Sequence, residues 1–208
     1  MIAEDFFTIE SSWKFFEHCS PSENPCFWVK RIDSALAVEL KSVKNSRRDI
    51  PAGCYVGDNV FIHESVRLPP ICVIEGPAYI DKGTTIRPFA YLRQNVIVGE
   101  NCIIGNSCEI KNSILLGNVQ VPHFNYVGDS VLGNFVHLGA GVILANLRLD
   151  KGEVVANYKG ERMHLGVNKF GAIIGDHSEI ACNSVLNPGT ILPKYSMVFG
   201  GNSKKIRE

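Results

Sequence analysis

The 208-residue chain carries 21 basic and 21 acidic side chains, so its formal charge is zero, and 45% of it is hydrophobic. A balanced charge argues against a nucleic acid or an anionic membrane held by bulk electrostatics, but leaves room for a local basic cluster that binds phosphate. No apolar run reaches the ~18 residues of a membrane span, and the acidic start, Met1-Ile2-Ala3-Glu4-Asp5, lacks the basic region of a signal peptide.

Residues 1–49 read as an N-terminal helical cap. Phe6, Phe7, Ile9, Trp13 and Phe16, then Phe27, Val29, Ile32, Leu36 and Leu40, have rough helical spacing around a Ser20–Pro25 loop. Two short amphipathic helices are expected to cover an otherwise open sheet edge; a partner-docking arm is the alternative.

From Ile50 the pattern changes. Ile50, Val56, Ile62, Leu68, Ile74, Ile80, Ile86, Leu92, Val98, Ile104, Ile110 and Leu116 recur every sixth position. Neither a helix nor a flat strand has that period. Four residues behind runs a second phase of mostly small side chains, among them Cys54, Ala78, Ala90 and Cys102. A large aliphatic and then a small residue, every six, is a hexapeptide coil. Three hexads make one triangular turn, and turns stack as parallel strands about 4.8 Å apart. Cys54, Cys72, Cys102 and Cys108 share the small inward phase and read as buried thiols filling corners, a usage suited to a reducing, cytoplasmic location.

This coil region, residues 50–203, has two interruptions. The phase slips after Leu116 and reappears at Leu132, Leu138 and Leu144, with Val121-Pro-His-Phe-Asn-Tyr-Val-Gly-Asp129 in between. A repeat that holds strictly and then slips is a place to look for chemistry. Residues 147–169 are polar and read as a projecting loop, with a hairpin around Lys159-Gly160. The hexad resumes at Ile174, Ile180, Leu186, Leu192 and Val198, and residues 204–208 form a basic, frayed tail.

Coil spacing places Arg93 and Lys111 on one outward face, one turn apart. Two like charges that close need an anion between them, and a phosphate fits; Glu75, a turn earlier, is the structural alternative. His123 lies in the slip and is open to a base, ligand or turn role. No His-x-x-x-His pair occurs, so no zinc site is expected.

Four segments carry a resemblance: Glu109-Ile-Lys-Asn-Ser-Ile-Leu-Leu-Gly, Pro122-His-Phe-Asn-Tyr-Val-Gly-Asp-Ser, Leu138-Gly-Ala-Gly-Val-Ile-Leu-Ala-Asn-Leu-Arg and Lys169-Phe-Gly-Ala-Ile-Ile-Gly-Asp. They are similar to the acetyltransferase domain of bifunctional sugar-1-phosphate nucleotidylyltransferases, which serve UDP-N-acetylglucosamine synthesis. The resemblance implies an all-β, left-handed parallel β-helix. It implies acetyl-CoA as co-substrate, with no metal needed, and an amino-sugar 1-phosphate as acceptor, glucosamine-1-phosphate first. It implies His123 as general base and Glu109 as the carboxylate that orients it, with Arg93 and Lys111 holding the phosphate. Tyr126, Asn146 and Lys169 then line the sugar and thioester region, and Ala140, Cys182 and Gly200 contact acetyl-CoA through backbone. The chain departs from the family at His137, where Asn is usual beside the substrate amine. The span before the coil is too short for a nucleotide-binding domain, so uridylyl transfer is expected from a separate nucleotidylyltransferase. Members are trimers with active sites between copies, so a homotrimer is expected. The alternatives are another acceptor or acyl donor on the same fold, or a non-catalytic trimeric partner.

Overall fold

The computed structural model describes residues 1–43 and 49–200, together with the backbone of Ile206–Arg207. The chain winds into a β-solenoid of about eight turns, whose strands build three walls of seven strands each. The first wall contains Tyr91–Leu92, Glu109–Lys111, Tyr126–Gly128 and Ile143–Leu144. The second contains Ala78–Ile80, Val96–Val98, Ser113–Leu115 and Val131–Leu132. The third contains Ile103–Asn106, Gln120–His123, His137–Leu138 and Glu179–Ile180. Successive turns pair in parallel, as at Leu92 with Ile110. At the corners one residue takes a left-handed backbone, and Asn95, Asn101, Asn118 and Asn183 do so at φ of +57° to +61°. Asparagine tolerates that conformation better than most residues with a Cβ.

The inward aliphatics stack into one core, with Ile74, Ile80, Leu92, Val98, Ile104 and Ile110 all fully buried. Cys72, Cys102 and Cys108 are buried in the same core, whereas Cys54, on the first turn, is only half-buried.

The slip falls elsewhere than expected. Leu92 pairs with Ile110, eighteen residues on, but Val98 pairs with Leu115, seventeen on. Ile110 then pairs with Val127, and Leu115 with Leu132, again seventeen apart. The turns therefore shorten by one residue at the corner between the first and second walls, at Asn112 and again at Asp129. Leu115, not Leu116, points inward. Leu116 is buried too, in a second core outside the solenoid, and its apolarity hides the slip in the sequence.

That second core explains the N-terminal segment. In the second-wall strands the residue before the inward aliphatic points outward, and Phe61, Tyr79, Ile97, Ile114, Val131 and Ile173 make this outer face apolar. Phe6, Phe7, Phe15, Trp28, Ile32 and Leu36 pack on it. The segment thus lies along a wall rather than over the open end as a cap, and the inward Cys54 and Val56 of the first turn stay partly exposed. The helix expected over Phe6–Phe16 is absent, with only the 3-10 turns Ala3–Asp5 and Phe16–His18 in that region. Its backbone is diverted to distant partners: Ala3 N–H to Glu23 C=O, and Thr8 N–H to the Asp176 carboxylate at 2.7 Å. The later half forms α1, Cys26–Val29, and α2, Ile32–Ser42.

Within the insert, Val155–Tyr158 and Glu161–His164 pair as an antiparallel hairpin about Lys159-Gly160, as the sequence indicated. The hairpin does not project, however. Val154, Ala156 and Leu165 are buried in the second core, Tyr158 meets Phe6 with ring centroids 5.1 Å apart, and Lys30 donates to Leu165 C=O. The expected tail lies outside the described residues, save for Ile206–Arg207, which add an antiparallel strand beside Met197–Val198. Among the described residues no helix is long and apolar enough to cross a membrane.

Asp176 joins the two cores. It is 1% exposed and accepts from Thr8 N–H, from Asn134 N–H at 2.7 Å and from Asn134 Nδ2 at 3.1 Å. Each stranded donor costs about 1–3 kcal/mol. Asp176→Ala should therefore lower the urea midpoint markedly and expose residues 1–43 to limited proteolysis; an unchanged cleavage pattern would show that the segment is held some other way.

Candidate functional site

Three features of the chain meet on the first wall. Glu109 and Lys111 alternate outward on one strand, Tyr126 stacks on Glu109, and Tyr91 lies a turn below it. Arg93 N–H bonds Ile110 C=O, which sets Arg93 one turn from Lys111 on the same face, as coil spacing required. The electrostatics differ from the expectation. Arg93 Nη1 donates to Glu109 Oε1 at 2.9 Å, and Lys111 Nζ lies 3.3 Å from both oxygens of Asp129. Each cation has its own carboxylate within the chain, so the pair does not need an external anion for neutrality. Glu75 is not the neutralising group, because it accepts from the Tyr91 hydroxyl at 2.7 Å.

Asp129 is the residue that sequence reasoning missed. It is 4% exposed and gathers Lys111, Asn112 Nδ2 at 2.7 Å, and Asn146 Nδ2. The one-residue shortening of the corner brings it there. A Cβ on Gly128 would sit 2.7 Å from the Tyr126 hydroxyl and 2.8 Å from Asn146 Nδ2, so glycine at that position lets those two side chains meet. Burial, and then the charges of Asp129 and Glu109, push the Tyr126 phenol up, so it remains a neutral donor. Lys169 is exposed beside them. Leu147 bridges Lys169, and Phe170 N–H bonds Asn146 C=O, closing the base of the insert at this corner. The readable signal was Gly128-Asp129 at the slip, two short polar-compatible residues where a strict repeat would place an aliphatic.

His123 ends the third-wall strand Gln120–His123, at the corner leading into the first wall. Its ring is exposed, and among the described residues no side chain hydrogen-bonds it. The orienting contact expected from Glu109 is therefore not made: Glu109 lies around the corner and is engaged by Arg93. The corner itself is fixed from below. His123 N–H donates to Asn125 Oδ1 at 3.0 Å, and the buried Asn125 donates to Gly139 C=O at 2.7 Å. Phe124 next to it takes φ +53° and is 61% exposed, a costly conformation for an aromatic residue.

The backbone positions proposed for acetyl-CoA continue this corner turn by turn. Gly141 N–H bonds His123 C=O, and Asn183 N–H bonds Ala140 C=O. A Cβ on Gly139 would lie 2.5 Å from Cys182 N, and one on Gly200 2.6 Å from Cys182 O. His123, Ala140, Cys182 and Gly200 thus form one column along the edge. His137 stands apart from this set within one chain. It lies on the third wall between Gln120 and Glu179, and its Nδ1 is 2.8 Å from Glu179 Oε2. The place beside a substrate amine expected for it does not arise within a single copy, because its strand faces away from Arg93 and Lys111.

Comparison with known proteins adds the following. The GMPPB C-terminal domain matches residues 74–200. A bifunctional sugar-1-phosphate nucleotidylyltransferase/acetyltransferase of Sulfurisphaera tokodaii is 42% identical over 152 residues, which are 67% of this chain and 38% of that protein. The bifunctional protein GlmU of Methanococcus vannielii is 42% identical over 140 residues, 67% of this chain and 34% of its own length. That of Acetivibrio thermocellus is 28% identical over 166 residues, covering 72% and 32% respectively. The chain thus spans about a third of the length of the curated relatives it matches.

Proposed function

This chain belongs to the family of the GMPPB C-terminal domain, and from that premise we propose that it is an acetyl-CoA-dependent N-acetyltransferase acting on an amino-sugar 1-phosphate, glucosamine-1-phosphate foremost. One observation carries the reading: a basic pair and a neutral phenol share the first wall, beside a corner that presents an imidazole and a column of backbone groups.

Arg93 and Lys111 hold the phosphate. Only Nη1 of the Arg93 guanidinium is engaged by Glu109, so further N–H donors remain for a phosphate, and the Lys111 contacts to Asp129 are long enough to share. Tyr126 and Asn146 bond the sugar, and Lys169 and His137 complete the acceptor region. When phosphate engages Arg93, Glu109 is released to orient His123. The His123 imidazole then takes the proton from the amine nitrogen as that nitrogen attacks the thioester carbonyl. A fixed backbone N–H of the Ala140, Cys182 and Gly200 column steadies the developing oxyanion. The carbon–sulfur bond breaks, and the thiolate leaves with the proton held by His123. Holding both substrates along one edge supplies much of the rate.

Three copies assemble around this wall. Exposed Tyr55, Val73 and Val185 on the first wall, with Phe89 and Phe124 at its corner, support that arrangement. It would let His137 of one copy face the acceptor region of the next.

A second reading, a non-catalytic trimeric partner of a separate nucleotidylyltransferase, is favoured by the two ion pairs already closed within the chain. Thiol release from acetyl-CoA with glucosamine-1-phosphate, galactosamine-1-phosphate and free glucosamine separates the two. Release with the phosphorylated sugars alone supports acetyl transfer, and no release with any acceptor leaves the scaffold. Arg93→Ala is expected to raise KM for the sugar phosphate by about tenfold or more, the worth of one charge-assisted contact. An increase in KM for acetyl-CoA instead would discard the phosphate assignment.

A further inference from the structure

Away from this wall, the N-terminal segment and the outer face of the second wall enclose a cleft of about 560 Å³. That volume lies within the range of ~300–1,000 Å³ typical of small-molecule sites. Trp13, Tyr79, Asp81 and Asn118 line it, with Leu116 at its floor.

Three polar groups here have hydrogen-bonding capacity that the described residues do not use. The Tyr79 ring is buried, but its hydroxyl reaches the solvent side of the cleft and has no partner among the described residues. Among the described residues Asp81 accepts only the backbone N–H of Lys82, at 2.8 Å, and the Asn118 carboxamide makes no hydrogen bond. Burial, and then the charges of Asp81 and Glu100, push the Tyr79 phenol up, which keeps its proton available for donation. The two ammonium groups of the cleft are already taken, Lys14 by Glu39 and Lys82 by Glu100, each at 2.9 Å. Glu10 and Asp81 add negative charge, and among the described residues neither forms an ion pair. Counting Glu39, which pairs Lys14, and Lys194, whose Nζ lies 3.4 Å from the lining Thr8 Oγ1, the described residues place the four carboxylates Glu10, Glu39, Asp81 and Glu100 against the three ammonium groups Lys14, Lys82 and Lys194, so a phosphorylated ligand would meet net negative charge.

We propose that this cleft is a second ligand site, separate from the first wall, which takes an unphosphorylated sugar ring that is neutral or carries an amine. The half-exposed indole of Trp13 and the buried Leu116 offer an apolar surface to the C–H face of a pyranose. Tyr79, Asp81 and Asn118 supply one donor, one acceptor and one group that is both, the set that neighbouring hydroxyls require. The proposal does not rest on acetyl transfer.

Trp13 itself reports on binding, because the second tryptophan, Trp28, is 1% exposed and sits in the second core. Full-length protein is titrated with glucose, glucosamine, N-acetylglucosamine and glucosamine-1-phosphate while tryptophan fluorescence is followed. The expected result is a saturable change with at least one of the unphosphorylated sugars, and binding of glucosamine-1-phosphate weaker than that of glucosamine by about tenfold. Asp81→Asn, a nearly isosteric change at a half-exposed position, should weaken binding by about tenfold, and Trp13→Phe should remove the signal; neither should alter thiol release from acetyl-CoA. Arg93→Ala should leave the titration unchanged. No saturable response to any of the unphosphorylated sugars, or a response lost in Arg93→Ala and kept in Asp81→Asn, would overturn the proposal.

Discussion

Replacing His123 with alanine should lower kcat for thiol release by roughly a hundred- to ten-thousand-fold, the contribution usual for a positioned general base. KM for both substrates should change little, since in the proposed reaction the ring meets the amine and not the phosphate or the coenzyme. The structure makes this a clean substitution. The imidazole is exposed and among the described residues bears no side-chain hydrogen bond, and the corner is held by the His123 backbone through Asn125. The fold should therefore keep its urea midpoint. Full rate in the variant would remove His123 from the chemistry. Loss of rate together with loss of stability would mean that the ring is structural, contrary to its exposure.

Gly105→Ala should be among the most damaging single methyl additions in the solenoid. A Cβ there would stand 1.6 Å from the Pro122 carbonyl oxygen and 1.9 Å from its carbon. Backbone, unlike the end of a side chain, cannot swing aside, so the two strands must part. A loss on the order of 3 kcal/mol or more is expected, in the range of severe strain or overpacking. Because Pro122 precedes His123, the surviving folded fraction should also be slow. Gly117→Ala serves as the comparison. Its nearest neighbour is the Asn134 side chain at 3.2 Å, and about 1 kcal/mol or less is expected. Equal urea midpoints for the two variants would show that the close approach of Gly105 to Pro122 is not real.

Much of this architecture can be read from the chain because an inward aliphatic every sixth residue has one geometric meaning. Ile74, Ile80, Ile86 and Leu92 needed no other information. Leu116 shows where the reading fails. It is as apolar as Leu115, but it faces the second core, and a hydrophobic residue does not say which side of a wall it covers. The same ambiguity concealed the role of residues 1–43. Phe61, Tyr79, Ile97 and Ile114 already marked one outer face as apolar, so the aromatic run near the N-terminus had a wall to lie on rather than an end to close. For the candidate site, spacing gave the stacking of Arg93 on Lys111, because strand register fixes Cα positions. It could not give the pairings of Glu109 with Arg93 or of Asp129 with Lys111. The second depends on a corner one residue shorter than the repeat, and both on side-chain directions that register leaves open.

In the proposed function the substrate phosphate draws Arg93 away from Glu109 and shares Lys111 with Asp129. A crystal structure of the full chain with glucosamine-1-phosphate bound tests it most directly. Phosphate oxygens are expected within about 2.7–3.2 Å of both the Arg93 guanidinium and the Lys111 ammonium, with Glu109 withdrawn from Arg93 to the His123 imidazole and the amine facing that ring. Arg93 still bonded to Glu109, with the sugar phosphate lodged on another wall, would contradict it.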